Sequence, residues 1–157
     1  MTTEPTSGFR HFHDQLGTLK QRLLAMSARA EELVELSVDA LLTHDVGKAQ
    51  AVIEADRELD QQELEVEHLA VELLALQQPM ARDLRFLISA IKVTSDLERV
   101  GDHAVNIAQS VQRLHALPTR VTPEPSIAEM ARRARAMLAD ALDAFVRADG
   151  ALGRDVC

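Results

Sequence analysis

The sequence predicts an all-α fold, an antiparallel three-helix bundle joined to a fourth helix. Aromatic residues make up only 3% of the 157 positions, with neither Trp nor Tyr, which leaves little of the material from which β-sandwiches and barrels are built. Apolar residues recur at helical spacing through three long runs. Breaks of only a few residues separate these runs, so successive helices must double back on one another.

Met1 to Gly8 is polar and contains Pro5; it is expected to be disordered, and it lacks the basic start and apolar stretch of a secretory leader. The first helix is predicted over Phe9–Thr43, where Leu16, Leu19, Leu23, Leu24, Met26, Ala30, Leu33, Val34, Val38, Leu41 and Leu42 recur at helical spacing. His44 to Gly47 interrupts it, with Gly47 as the expected stop and Asp45 as a cap for a second helix over Lys48–Gln77. Gln78 and Pro79 mark a tight turn, because Pro suits a first helical turn and disfavours helical geometry before it. A third helix follows over Met80–His115. The stretch 118–125 holds Pro118, Pro123 and Pro125 and reads as a linker. Ser126 with Glu129 three residues on has the form of a capping box, opening a fourth helix that ends near Gly150. The expected organisation is thus 1–8 disordered, 9–117 a three-helix unit, 118–125 a linker and 126–157 a further helix.

That last segment repeats an earlier one. Val38 to Val52 aligns without gaps on Leu142 to Val156 at an offset of 104, with identities at Asp39/Asp143, Ala40/Ala144, Asp45/Asp149 and Val52/Val156. Because it follows the Pro-rich linker, the segment reads as the opening helix of a second, incomplete three-helix unit. Its apolar face, including Met130, Met137, Leu138, Leu142 and Phe145, needs a cover. Pairing with a second copy of the chain, as a homodimer, is the favoured expectation; packing on the parent bundle is the other.

With 17 basic and 25 acidic residues, the net charge of −8 repels nucleic acid and anionic membranes and suits cationic ligands. A lone Cys157 excludes an intrachain disulfide framework and fits a reducing, cytoplasmic setting. The richest apolar stretch, Leu69 to Leu76, is short and broken by Glu72, so no membrane span is expected and any membrane association is peripheral.

On the second helix Asp56, Asp60, Glu63 and Glu67 form one stripe, and on the third Glu98 and Asp102 are four apart. Counted from Gln78, Asp60 lies 18 residues before and Glu98 20 after, while Asp56 lies 22 before and Asp102 24 after. In an antiparallel hairpin the pairs therefore stand within roughly 3 Å of the same height. Converging carboxylates without basic partners repel one another unless a cation neutralises them, and oxygen ligands suit iron, manganese, zinc or magnesium. Helix rotation decides whether they face each other, and a solvated acidic face satisfies the same spacing. His103 adjoins Asp102 and could orient a metal-bound carboxylate. Gly101, which costs about 1 kcal/mol against Ala in mid-helix, implies close approach of another helix or a ligand. Glu63, Glu67, Glu65 and His68 offer an alternative, a helical-bundle di-metal enzyme, although the Glu-x-x-His pair occurs once where such bundles need two. No nucleophile set or phosphate-binding loop is visible, so a non-enzyme is expected, down to a metal-free helical interaction domain.

The segment Ala81 to Ser110, ARDLRFLISAIKVTSDLERVGDHAVNIAQS, closely resembles the signature stretch of the PhoU family of phosphate-uptake regulators, and similarity to that family extends over nearly all of Phe9 to Leu117. The resemblance implies a three-helix bundle repeated twice, with acidic motifs of the form Glu or Asp, three residues, Asp, binding multinuclear clusters of divalent or trivalent metal. The matching residues are Asp56 with Asp60 and Glu98 with Asp102, with Asn106 one turn on as a helper. It further implies a cytoplasmic, non-enzymatic negative regulator linking the phosphate-specific ABC transporter ATPase to a sensor histidine kinase. The family pattern departs after Val156, where a second pair of acidic helices is expected.

Overall fold

A computed structural model describes residues 6–77, 79–119 and 121–157, with backbone alone at 6–9 and at 77. The described residues form five helices in chain order: α1 (Thr6–Thr43), α2 (Val46–Gln77), α3 (Ala81–His115), α4 (Ser126–Arg147) and α5 (Gly150–Val156). The all-α architecture agrees with the sequence. Of the stretch expected to be disordered, residues 1–5 lie outside the described residues, whereas residues 6–8 already belong to α1. Gln78 in the turn and Arg120 in the linker also lie outside them.

Each of α1, α2 and α3 packs against the other two. The core is continuous along the bundle: Phe12, Leu16, Leu19, Leu23, Val66, Leu73 and Leu87 fill one end, and Met26, Leu33, Val52, Leu59, Leu97 and Val111 the other. Small residues where α3 faces the core, Ala90, Gly101, Ala104 and Ala108, are fully buried and let its neighbours approach closely.

Two expected boundaries need correction. Gly47 does not stop α1 but sits in the first turn of α2, and the left-handed position after α1 belongs to His44, φ 56°. The strain is offset by a backbone bond, Asp45 N–H donating to the Ala40 carbonyl at 2.9 Å, while Asp45 Oδ1 accepts from Lys48 N–H at 3.0 Å as the expected cap. Second, Ser126 is the first residue of α4 rather than its cap, and no side chain caps that end; Glu129 instead accepts from Arg132 and Arg133. An i+3/i+4 ion pair thus replaces the capping box.

The offset-104 repeat is real in backbone geometry. α4 ends at Arg147 instead of near Gly150; Ala148 is left-handed at φ 57°, as His44 is; and Asp149 N–H donates to Ala144 at 2.8 Å, as Asp45 does to Ala40. Asp149 Oδ1 then caps α5, accepting from Ala151 and Leu152 N–H.

The fourth helix packs within its own chain, which corrects the favoured expectation that a second copy covers it. α4 runs antiparallel along α1, with Arg135 paired to Glu35 at 2.8 Å, Leu142 and Ala144 buried, Leu138 on the core and Phe145 stacked on Phe86 with ring centres 5.2 Å apart. Of its large apolar side chains, Met130 and Met137 remain largely exposed.

Candidate functional site

The α2–α3 hairpin settles the rotation that spacing alone leaves open. Leu59, fully buried, points from α2 into α3 where Gly101 offers no side chain. A Cβ at Gly101 would overlap Leu59 Cδ2 and lie 3.2 Å from Asp56 Oδ1. This close approach is the reason for a mid-helix glycine, as the sequence implied, and it carries Asp56 to the flank of Asp102.

Asp56 and Asp60 on α2 and Glu98 and Asp102 on α3 consequently share one electrostatic neighbourhood. Burial, then the charges of Asp60 and Asp102, raises the Asp56 carboxyl above its ordinary value. Burial, then Asp102, Glu63, Asp60 and Asp56, raises Glu98. Asp56 and Glu98 are half-buried, while Asp60 and Asp102 are exposed, so the cluster opens on the bundle surface.

A fifth carboxylate joins the four. Glu63 is half-buried and raised by burial first, then by Glu67, Asp60 and Asp102. Sequence reasoning placed Glu63 on the right stripe but in a different set, the di-metal alternative, and the structure divides that set. Glu65 turns toward α1, where its carboxylate meets Arg22 at 3.3 Å, and His68 lines a cleft with Arg22 and Glu65. Glu63 faces α3 instead, and the four residues do not form one site. The signal for Glu63 was its place one turn beyond Asp60, on the side that proves to face α3.

His103 and Asn106 are both exposed on α3 next to Asp102, and neither side chain makes a hydrogen bond among the described residues.

The donor set fits a hard or borderline cation in chemistry: five carboxylates, all oxygen ligands, with no ion pair from Lys or Arg to any of them among the described residues. Arg29 is engaged with Glu32 and Glu58, and Arg99 with Asp96. As placed, no three His, Cys, Asp or Glu side chains among the described residues converge on one point at ligating distance. Drawing two or three carboxylates onto an ion would therefore require rotamer changes, which exposed Asp60 and Asp102 can make at little cost.

Residues 23–111 match the family model described as the PhoU domain. The chain is 34% identical over 147 residues to the phosphate-specific transport system accessory protein PhoU homolog of Clostridium acetobutylicum, covering 93% of this chain and 67% of that relative. It is 37% identical to the Pseudomonas putida protein of the same description, covering 94% of this chain and 57% of that one. The crystal structure of PhoU from Pseudomonas aeruginosa superposes with a TM-score of 0.85 at 35% identity, over 92% of this chain and 69% of that one. The chain thus spans between about half and two thirds of the length of these curated relatives. A domain match over more than half its residues, together with the shared backbone, makes this chain a member of the PhoU family.

Proposed function

We propose that this chain is a metal-binding, non-enzymatic regulator of phosphate uptake. In this reading Asp56, Asp60, Glu63, Glu98 and Asp102 hold one or more divalent or trivalent ions, such as iron, zinc or manganese, on the surface of the α2–α3 hairpin. The observation that carries it is the juxtaposition of five carboxylates from two helices, three raised by burial and mutual repulsion, with no ion pair to Lys or Arg among the described residues. A bound cation would remove that repulsion and tie α2 to α3. His103 and Asn106, beside Asp102, would support the ligands through hydrogen bonds. No nucleophile and base are paired in the cluster, and the relatives are described as accessory proteins of a transport system. The regulator would act in the cytoplasm as a negative adaptor between the phosphate ABC transporter ATPase and a sensor histidine kinase. No described helix is long and apolar enough to cross a membrane.

Elemental analysis of untagged protein beside the Glu98→Ala, Asp102→Ala variant tests the reading. Stoichiometric metal in the wild type, lost in a variant whose helical circular dichroism is unchanged, is the expected result. Absence of metal in both would refute the metal part and leave a helical interaction domain. Co-purification with the transporter ATPase or the kinase tests the adaptor part.

A further inference from the structure

Charge is distributed unevenly along the bundle. The carboxylate cluster lies at mid-height, whereas the end where α1 begins and α2 gives way to α3 carries Arg10, Lys20, Arg82 and Arg85. Lys20, Arg82 and Arg85 line one cleft, with Lys20 held 5.2 Å above the Phe86 ring. The acidic groups at this end include Asp14, Glu72 and Asp83, Asp155 on α5 beside Arg154, and Asp149, whose carboxylate is occupied capping α5. Residues 71–92 hold three basic and two acidic side chains, net +1, against −8 for the whole chain. Arg82 and Arg85 are exposed and enter no ion pair among the described residues.

Beside these arginines stand large apolar side chains in solvent. Met80 is 81% exposed, Leu76 69% and Leu84 37%. None of the three lines the cleft that holds Arg82 and Arg85, nor the cleft beside Arg22 and Glu65. A fluid apolar phase can accommodate exposed apolar side chains, and nearby unpaired arginines complement phosphate headgroups. We propose that this end of the bundle docks on an anionic lipid surface, with Leu76, Met80 and Leu84 entering the headgroup–acyl boundary and Arg82 and Arg85 meeting lipid phosphates.

The carboxylate cluster does not reach this end. Glu98 lies 18 residues along α3 from Met80. That is about 27 Å, or about three Debye lengths at physiological ionic strength.

The test is flotation of the whole chain with vesicles of three parts phosphatidylcholine to one of phosphatidylglycerol, beside phosphatidylcholine alone, with and without EDTA. Wild type should associate with the anionic vesicles regardless of EDTA. Arg82→Gln with Arg85→Gln should weaken association about 25-fold, from roughly fivefold per arginine, and Met80→Asp, at an exposed position outside the core, should weaken it as well. Any of four results overturns the proposal: no association with anionic vesicles, equal association of wild type and both variants, loss on chelation, or association only when transporter protein is in the vesicles. Loss on chelation would place attachment at the carboxylates; dependence on the transporter would make the partner a protein.

Discussion

Replacing Gly101 by Ala, with Gly17→Ala as its counterpart, isolates the contact on which the site depends. Both glycines are interior to long helices, and neither has a positive φ, so Ala is sterically allowed by either backbone. Helix propensity alone favours each substitution by about 1 kcal/mol. At Gly17 nothing lies within 4 Å of a new Cβ, so that gain should appear as a rise of about 2 to 4 °C in Tm for a domain of this size. At Gly101 the Cβ overlaps Leu59 Cδ2, and Leu59 is fully buried in a packed core and cannot simply swing away. Overpacking of this kind costs roughly 1–3 kcal/mol. Subtracting the propensity gain leaves a net loss of about 0 to 2 kcal/mol, opposite in sign to Gly17→Ala. Because the same Cβ lies 3.2 Å from Asp56 Oδ1, Gly101→Ala should also weaken metal binding in titrations monitored by calorimetry. Chemical denaturation of both variants at one pH supplies the comparison. Equal stabilisation by the two substitutions would refute the close approach of α2 and α3 at this height, and with it the argument for a shared carboxylate site.

Asp56, Glu63 and Glu98 are raised in the folded state chiefly by burial, so the folded protein binds more protons than the unfolded chain between their ordinary and raised values, and their contribution to stability increases as pH falls through that window. Metal-free protein should accordingly gain stability from this cluster on acidification from neutral pH. Thermal melts of Glu98→Gln should show a smaller dependence, and saturating divalent cation should reverse it; an unchanged dependence in Glu98→Gln would sink this assignment. At the two left-handed positions that follow helices, His44→Gly and Ala148→Gly should each stabilise by about 1 kcal/mol, since a residue with a Cβ is strained there and glycine is not; urea midpoints would show it, and destabilisation by both would contradict the cap geometry. Asp149→Ala removes the bonds to Ala151 and Leu152 N–H and should fray α5 at a cost of about 1 kcal/mol, read as faster amide exchange confined to that helix.

The helical spans and the matched heights of the two acidic pairs were legible because both depend on local periodicity and on the constant rise of a helix. So was the repeat, whose Asp45 and Asp149 prove to cap equivalent helices behind equivalent turns. What misled was residue type used as a proxy for conformation: Gly47 looked like a helix stop, yet the left-handed turn fell to His44, where the bond from Asp45 N–H to Ala40 offsets its strain. Likewise Ser126 and Glu129 had the spacing of a capping box, but Arg132 and Arg133 compete for the same carboxylate.

Sequence by itself determined an all-α hairpin bundle with acidic stripes of known height, since those follow from spacing along one chain. Tertiary structure decided which stripes meet. Rotation of α2 about its axis is set by Leu59 seating against Gly101, and that seating brings Glu63 to the α3 side while Glu65 pairs with Arg22 on α1. It also decided that α4 lies on α1, because an apolar face records only that it needs a cover; the cover itself depends on distant residues, Glu35 and Phe86, that meet Arg135 and Phe145 only once the chain has folded back.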